Sequence, residues 1–103
     1  MKKVLFALAA TVAMTAPAFA DAGMDLAKAK NCLACHAVAT KVVGPSYKDV
    51  AAKYKGDKTA VDKLADKVIK GGSGVWGPVP MPANAQVTPA EAKQLVTWVL
   101  SQK

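Results

Sequence analysis

Cys32-Leu33-Ala34-Cys35-His36 decides the reading of this chain. The C-x-x-C-H spacing is the signature of covalent haem attachment. On a helical turn, residues three apart share a face, so both thiols can reach the two vinyl groups of one porphyrin and become thioethers. The adjacent histidine then rises beneath the iron. Two other chemistries use cysteines at such spacing. A thioredoxin-like redox pair needs a strand–helix context in a larger sheet fold, and no strand-like alternation is visible. A zinc site needs four ligands, whereas this chain supplies two cysteines and one histidine. One haem c with its iron, held through two thioethers, is the cofactor these five residues predict.

His36 is the only histidine, so a second one cannot ligate the iron from the other side. Downstream of the expected leader described below, the chain has two methionines, Met24 and Met81. Met24 precedes the motif by one short helix and belongs to the same side as His36, where it serves as a core thioether. Met81 stands in a proline-rich segment between Pro80 and Pro82. Those prolines fix their own φ angles and restrict the residues before them, which suits a sulfur held at a metal through a change of oxidation state. His36 and Met81 are therefore the expected axial ligands.

Size points the same way. The first twenty residues read as an export leader: Lys2 and Lys3, an apolar run from Val4 to Ala13 too short to span a membrane, and Ala18-Phe19-Ala20 as a cleavage signal. Residues 21–103 then form one domain, with no stable membrane insertion after cleavage. A domain that small buries little surface and needs a staple, and a covalently held cofactor supplies one. All 14 positive residues are lysines. Without Lys2 and Lys3, 12 lysines face seven acids, a net charge of +5. Nucleic-acid binding is excluded by the lack of arginine forks and by export. A lysine face can steer an acidic redox partner or simply keep the surface solvated.

Four helices are expected, giving an all-α domain. The first covers about Met24 to Asn31. The second covers Tyr47 to Lys55, with Tyr47, Val50, Ala51 and Tyr54 on one face and Gly56 as the stop. The third runs from Ala60 to Lys70 behind Thr59 as N-cap, with Val61, Leu64, Ala65 and Val68 as the buried stripe and Gly71-Gly72 ending it. The fourth opens with Thr88-Pro89-Ala90-Glu91, an N-cap, a proline at N1 and a capping-box glutamate. Ala92, Leu95, Val96, Val99 and Leu100 form its apolar face, with Trp98 at the edge. Residues 71–87, rich in glycine and proline, read as an ordered loop wrapped around a ligand.

Three further residues suit a haem site, each with a plainer alternative. The Pro45 carbonyl can accept the imidazole Nδ1–H and fix the tautomer, or Pro45 can be a turn proline. Trp76 can stand beside a haem propionate or pack in the core. Asn84 can donate to the Met81 sulfur or shape the loop.

Taken together, Cys32–His36, Lys41–Pro45, Gly74–Pro82 and Trp98–Lys103 resemble the bacterial cytochrome c-551 family of small class I cytochromes c, over essentially all of residues 21–103. The resemblance implies a helical fold wrapping one haem with an exposed edge. It implies thioethers at Cys32 and Cys35, axial His36 and Met81, Pro45 bonded to the histidine, Trp76 and Lys67 near the propionates, and Asn84 near the methionine sulfur. The family often has arginine at the position of Lys67 and proline at that of Ala83. It also implies an electron carrier serving periplasmic redox proteins such as a nitrite reductase, or a terminal oxidase; a monomer in the periplasm is the expectation that goes with the export leader. An iron held by His and Met has no open position, and thioether ligation favours the ferrous form. A haem-based gas sensor or peroxidase is the competing class, but it needs a labile sixth site and usually a distal His or Arg. The sequence has neither to spare.

Overall fold

The structure, a computed structural model, describes residues 18–103. The expected leader falls outside the described residues except for positions 18–20, which open the first helix. The elements are α1 (Ala18–Ala29), a 3-10 turn (Cys32–Ala34), α2 (Tyr47–Lys53), α3 (Ala60–Lys70), β1 (Gly72–Gly74), β2 (Gly77–Met81) and α4 (Pro89–Leu100). No helix among the described residues is long and apolar enough to cross a membrane.

Helix α4 is the hub, packing against α1, α2 and α3. Its start is the expected capping box. The Thr88 hydroxyl accepts from the Glu91 N–H at 3.2 Å, and the Glu91 carboxylate accepts from the Thr88 N–H at 3.0 Å. Ala92, Leu95, Val96 and Trp98 are buried from this helix. Trp98 was expected at the edge, but it lies in the core. Gly23 leaves room for its ring, and Tyr47 meets it edge-on at 5.3 Å.

Two helix boundaries shift for local reasons. Helix α1 stops at Ala29 rather than Asn31 because Asn31 turns left-handed, at φ 63°, which asparagine tolerates better than most residues. Helix α2 stops at Lys53, and Tyr54 to Gly56 make a turn with Gly56 at φ 80°. Ser46, which the periodicity does not reveal, caps α2 by accepting from the Asp49 N–H at 3.1 Å. Thr59 takes the N-cap position of α3 but caps nothing. Its hydroxyl donates instead to the Asp57 carboxylate at 2.6 Å.

The segment after α3 departs from the all-helical expectation. Residues 72–81 are an antiparallel hairpin, with Gly72 opposite Met81 and Gly74 opposite Gly77. The register slips between those pairs because Pro78 and Pro80 lack the N–H that a ladder requires, so Pro78-Val79-Pro80 bulges. Prolines argue against a strand in sequence, and here they shape one. The fold remains that of a small helical domain, with the hairpin as an arm.

Candidate functional site

The cysteine motif forms a tight turn that begins right after the left-handed Asn31. The backbone N–H groups of Cys35 and His36 both donate to the Cys32 carbonyl, at 3.2 and 3.0 Å. In a 3-10 turn, positions i and i+3 eclipse, so Cys32 and Cys35 share one side as the spacing predicts. The following loop folds back onto this turn. Val43 and Gly44 N–H groups donate to the Cys35 carbonyl at 3.2 and 2.7 Å. That return brings Pro45 to His36, whose Nδ1 lies 2.8 Å from the Pro45 carbonyl oxygen. A side chain at Gly44 would collide with the imidazole at Cε1, so only glycine allows this approach. Tyr47 stacks on the imidazole itself, its centroid 5.1 Å from that of His36.

Cys32, Cys35 and His36 line a cleft together with Pro45, Lys67, Trp76 and Met81. The cleft holds about 1590 Å³ of space, part of it open to solvent. Its floor is apolar. Leu64 and Val68, half-buried on α3, and Leu95, Val96 and Val99 of α4 all face it. Val43, Val75, Trp76 and Val79 stand exposed along its walls. Of the expected stripe of α3, Ala65 alone is fully buried; Leu64 and Val68 line the cleft, and Val61 is partly buried against the core. Large apolar side chains turned toward open space are unfavourable unless a guest covers them. A flat apolar macrocycle does so, and the donor set of two thiols, an imidazole and a thioether matches its attachment and its metal.

Burial pushes the Cys32 thiol above its ordinary range, with a bond to Tyr47 opposing. Burial also raises the Tyr47 hydroxyl well above its usual value, helped by the thiols of Cys32 and Cys35.

Asn84 is not brought into the cleft lining. Its amide donates to the Val68 carbonyl at 3.0 Å and the Pro82 carbonyl at 3.2 Å, and its own N–H bonds the Val68 and Ile69 carbonyls. It departs from the expected approach to the Met81 sulfur and instead pins the loop to the end of α3. Lys67 lines the cleft with its amine beside Gly72, and Trp76 stands at the hairpin turn with 43% of its surface exposed. Sequence reading missed Tyr47 as a support of His36 and Gly44 as its space. The Gly44-Pro45 pair, nine residues after the motif's end at the latest, was the available signal for the second.

The model of the Cytochrome c family matches residues 20–103. The chain belongs to the cytochrome c family. It is 57% identical to cytochrome c-552 of Hydrogenobacter thermophilus over the full length of both chains. It is 52% identical to cytochrome c-551 of Pseudomonas aeruginosa over 100 residues, covering 96% of this chain and 95% of that one. Among solved structures, the crystal structure of Nitrosomonas europaea cytochrome c552 superposes with a TM-score of 0.76 at 55% identity, covering 78% of this chain and 99% of that one. As a cytochrome c, the protein carries one covalent haem c with its iron and acts as an electron carrier.

Proposed function

We propose that this cytochrome is a monomeric periplasmic shuttle whose iron is bound by His36 Nε2 and Met81 Sδ and whose haem is tethered by Cys32 and Cys35. The bound haem supplies a one-electron Fe(III)/Fe(II) couple. The chain's own residues do the rest. The observation that carries the reading is the 2.8 Å contact between His36 Nδ1 and the Pro45 carbonyl. With Nδ1–H donating there, Nε2 is the unprotonated nitrogen and is available to a metal. A carbonyl behind the imidazole also makes it a stronger donor. Stacking on Tyr47 and the crowding at Gly44 hold the ring in one orientation.

Met81 lines the same cleft at the end of β2, where Gly72 pairs with it and Pro80 and Pro82 flank it. A sulfur on so constrained a backbone keeps its place in both oxidation states, so little reorganises when an electron moves. Lys67 and Trp76 are read as neighbours of the propionates, where an ammonium and an indole N–H both offset negative charge. Asn84 serves this site at one remove, by fixing the loop that follows Met81.

Export to the periplasm is supported by the leader pattern of residues 1–20, and thioether formation belongs to the same exported setting. The partners are redox proteins that meet the open side of the cleft briefly, of the kinds the family serves, a nitrite reductase or a terminal oxidase. Mass spectrometry and absorption of the purified exported protein test the reading. The expected mass is residues 21–103 plus one haem, with a sulfur-to-iron charge-transfer band in the oxidised form. A high-spin oxidised spectrum would support a sensor or peroxidase instead.

A further inference from the structure

The hairpin that carries Met81 is an arm with few supports. At its base it is held to α3 by the Asn84 amide on the Val68 carbonyl and by Lys67 lying over Gly72. Its tip is the two-residue turn Val75-Trp76 between Gly74 and Gly77. No helix packs broadly against that tip. A side chain of α2 reaches it. Lys53, in the last turn of α2, places its Nζ 5.6 Å from the centroid of the Trp76 ring. Among the described residues Lys53 makes no ion pair, so no carboxylate draws it away. An ammonium over an indole face is attracted by the ring quadrupole, and its methylene stem covers apolar surface.

We propose that Lys53 is a positioning residue: seated over Trp76, it latches the hairpin tip to α2 and so holds Met81 in place. Lys53 touches neither haem nor iron in this scheme. Met81 ends β2 at the hairpin base, opposite Gly72, and the stiff Pro78-Val79-Pro80 run joins it to the Trp76 turn, so a tilt of the tip is passed along that run as a twist of the Met81 backbone. The latch rests on the reading of Met81 as a ligand, and it adds to that reading a control on how often the sulfur lets go.

The test uses the ferric holoprotein and measures its rate of binding imidazole at saturating concentration, where release of the sulfur limits the reaction. Lys53→Ala should bind about two- to five-fold faster than the parent, the ratio expected for one exposed cation–π contact. Lys53→Met should behave like Lys53→Ala, and Lys53→Arg should return to the parent rate because a guanidinium also seats on an aromatic face. Lys48→Ala, which removes an exposed charge elsewhere on α2, should leave the rate unchanged. Hydrogen exchange should rise at the amides of residues 74–81 and not in α4. An unchanged rate in Lys53→Ala overturns the latch, as does equal acceleration in Lys48→Ala or exchange that rises throughout α4. A parent protein without a sulfur-to-iron band overturns the Met81 assignment instead, and the exchange pattern then reads the latch by itself.

Discussion

The Pro45 carbonyl oxygen sits 2.8 Å from His36 Nδ1, and Gly44, the residue before that proline, lies so close to the same imidazole that a side chain there would collide with it. Position of the ring thus depends on one backbone oxygen and one missing side chain. Both follow from the loop closing on the Cys35 carbonyl through the N–H groups of Val43 and Gly44.

Gly44→Ala should therefore disturb the proximal ligand more than an exposed loop change would. The added methyl meets His36 Cε1 and comes within 2.8 Å of Nδ1. Overpacking of this kind costs about 1–3 kcal/mol. The expected outcome is a lower melting temperature together with a shifted reduction potential, read by calorimetry and potentiometric titration. A variant with both values at the parent's level would falsify the account of His36 support.

Met81→Ala should open the iron and Met81→His should not. The alanine variant is expected to take up cyanide or imidazole readily and to lose the sulfur-to-iron band. Both variants should have a lower potential than the parent, by a sizeable part of the roughly 0.8 V that axial ligands span. Retention of the parent's spectrum and potential in Met81→Ala would remove Met81 from the coordination sphere.

How much of this was legible beforehand differs from residue to residue. The capping box at Thr88 and Glu91 was readable because its hydrogen bonds are local in sequence. The attachment motif was readable for the same reason, since one turn sets the Cys32 and Cys35 spacing. Tyr47 was placed on the buried face of α2, but its stacking on His36 arises from the loop return and has no sequence signal. Asn84 offers two readings in sequence, and the carbonyls of Val68 and Pro82 that its amide bonds are set by the chain's return to α3, which has no local signal. The hairpin was hidden because its two strands are made of glycines and prolines, which in sequence mark loops. Trp98 was drawn to the core by Gly23, 75 positions earlier, a partnership that helical periodicity cannot see.

Gly71→Ala probes the other ligand's backbone. Gly71 has φ 73°, and a Cβ there would lie 2.5 Å from the Met81 carbonyl oxygen and 2.8 Å from the Ala83 nitrogen. A left-handed alanine facing crowded backbone costs about 1–3 kcal/mol. That cost falls on the segment bearing Met81. In a denaturant titration of the oxidised variant, the sulfur-to-iron band should vanish at lower denaturant than helical circular dichroism does. Coincident loss of both signals at the parent's midpoint would count against the coupling of Gly71 to Met81.

The α4 cap gives a pH signature of its own. The Thr88 backbone N–H holds the Glu91 carboxyl below its ordinary value, opposed by slight desolvation and assisted by Lys30, whose amine lies 3.3 Å from Glu91. A depressed folded-state pKa means that the unfolded chain takes up its proton first as acid is added. The stabilisation is thus complete above the ordinary carboxylate range and is lost as pH falls through the folded value. Glu91→Gln keeps a side chain able to accept from Thr88 but cannot titrate. Melting temperatures of parent and variant, compared from roughly pH 3 to 7, should converge toward the acid end. Thr88→Ala should instead lower stability at every pH, by about 0.5–2 kcal/mol, because it removes the hydroxyl that satisfies the Glu91 N–H. A gap between parent and Glu91→Gln that stays constant with pH would show that the carboxylate's charge contributes nothing to the cap.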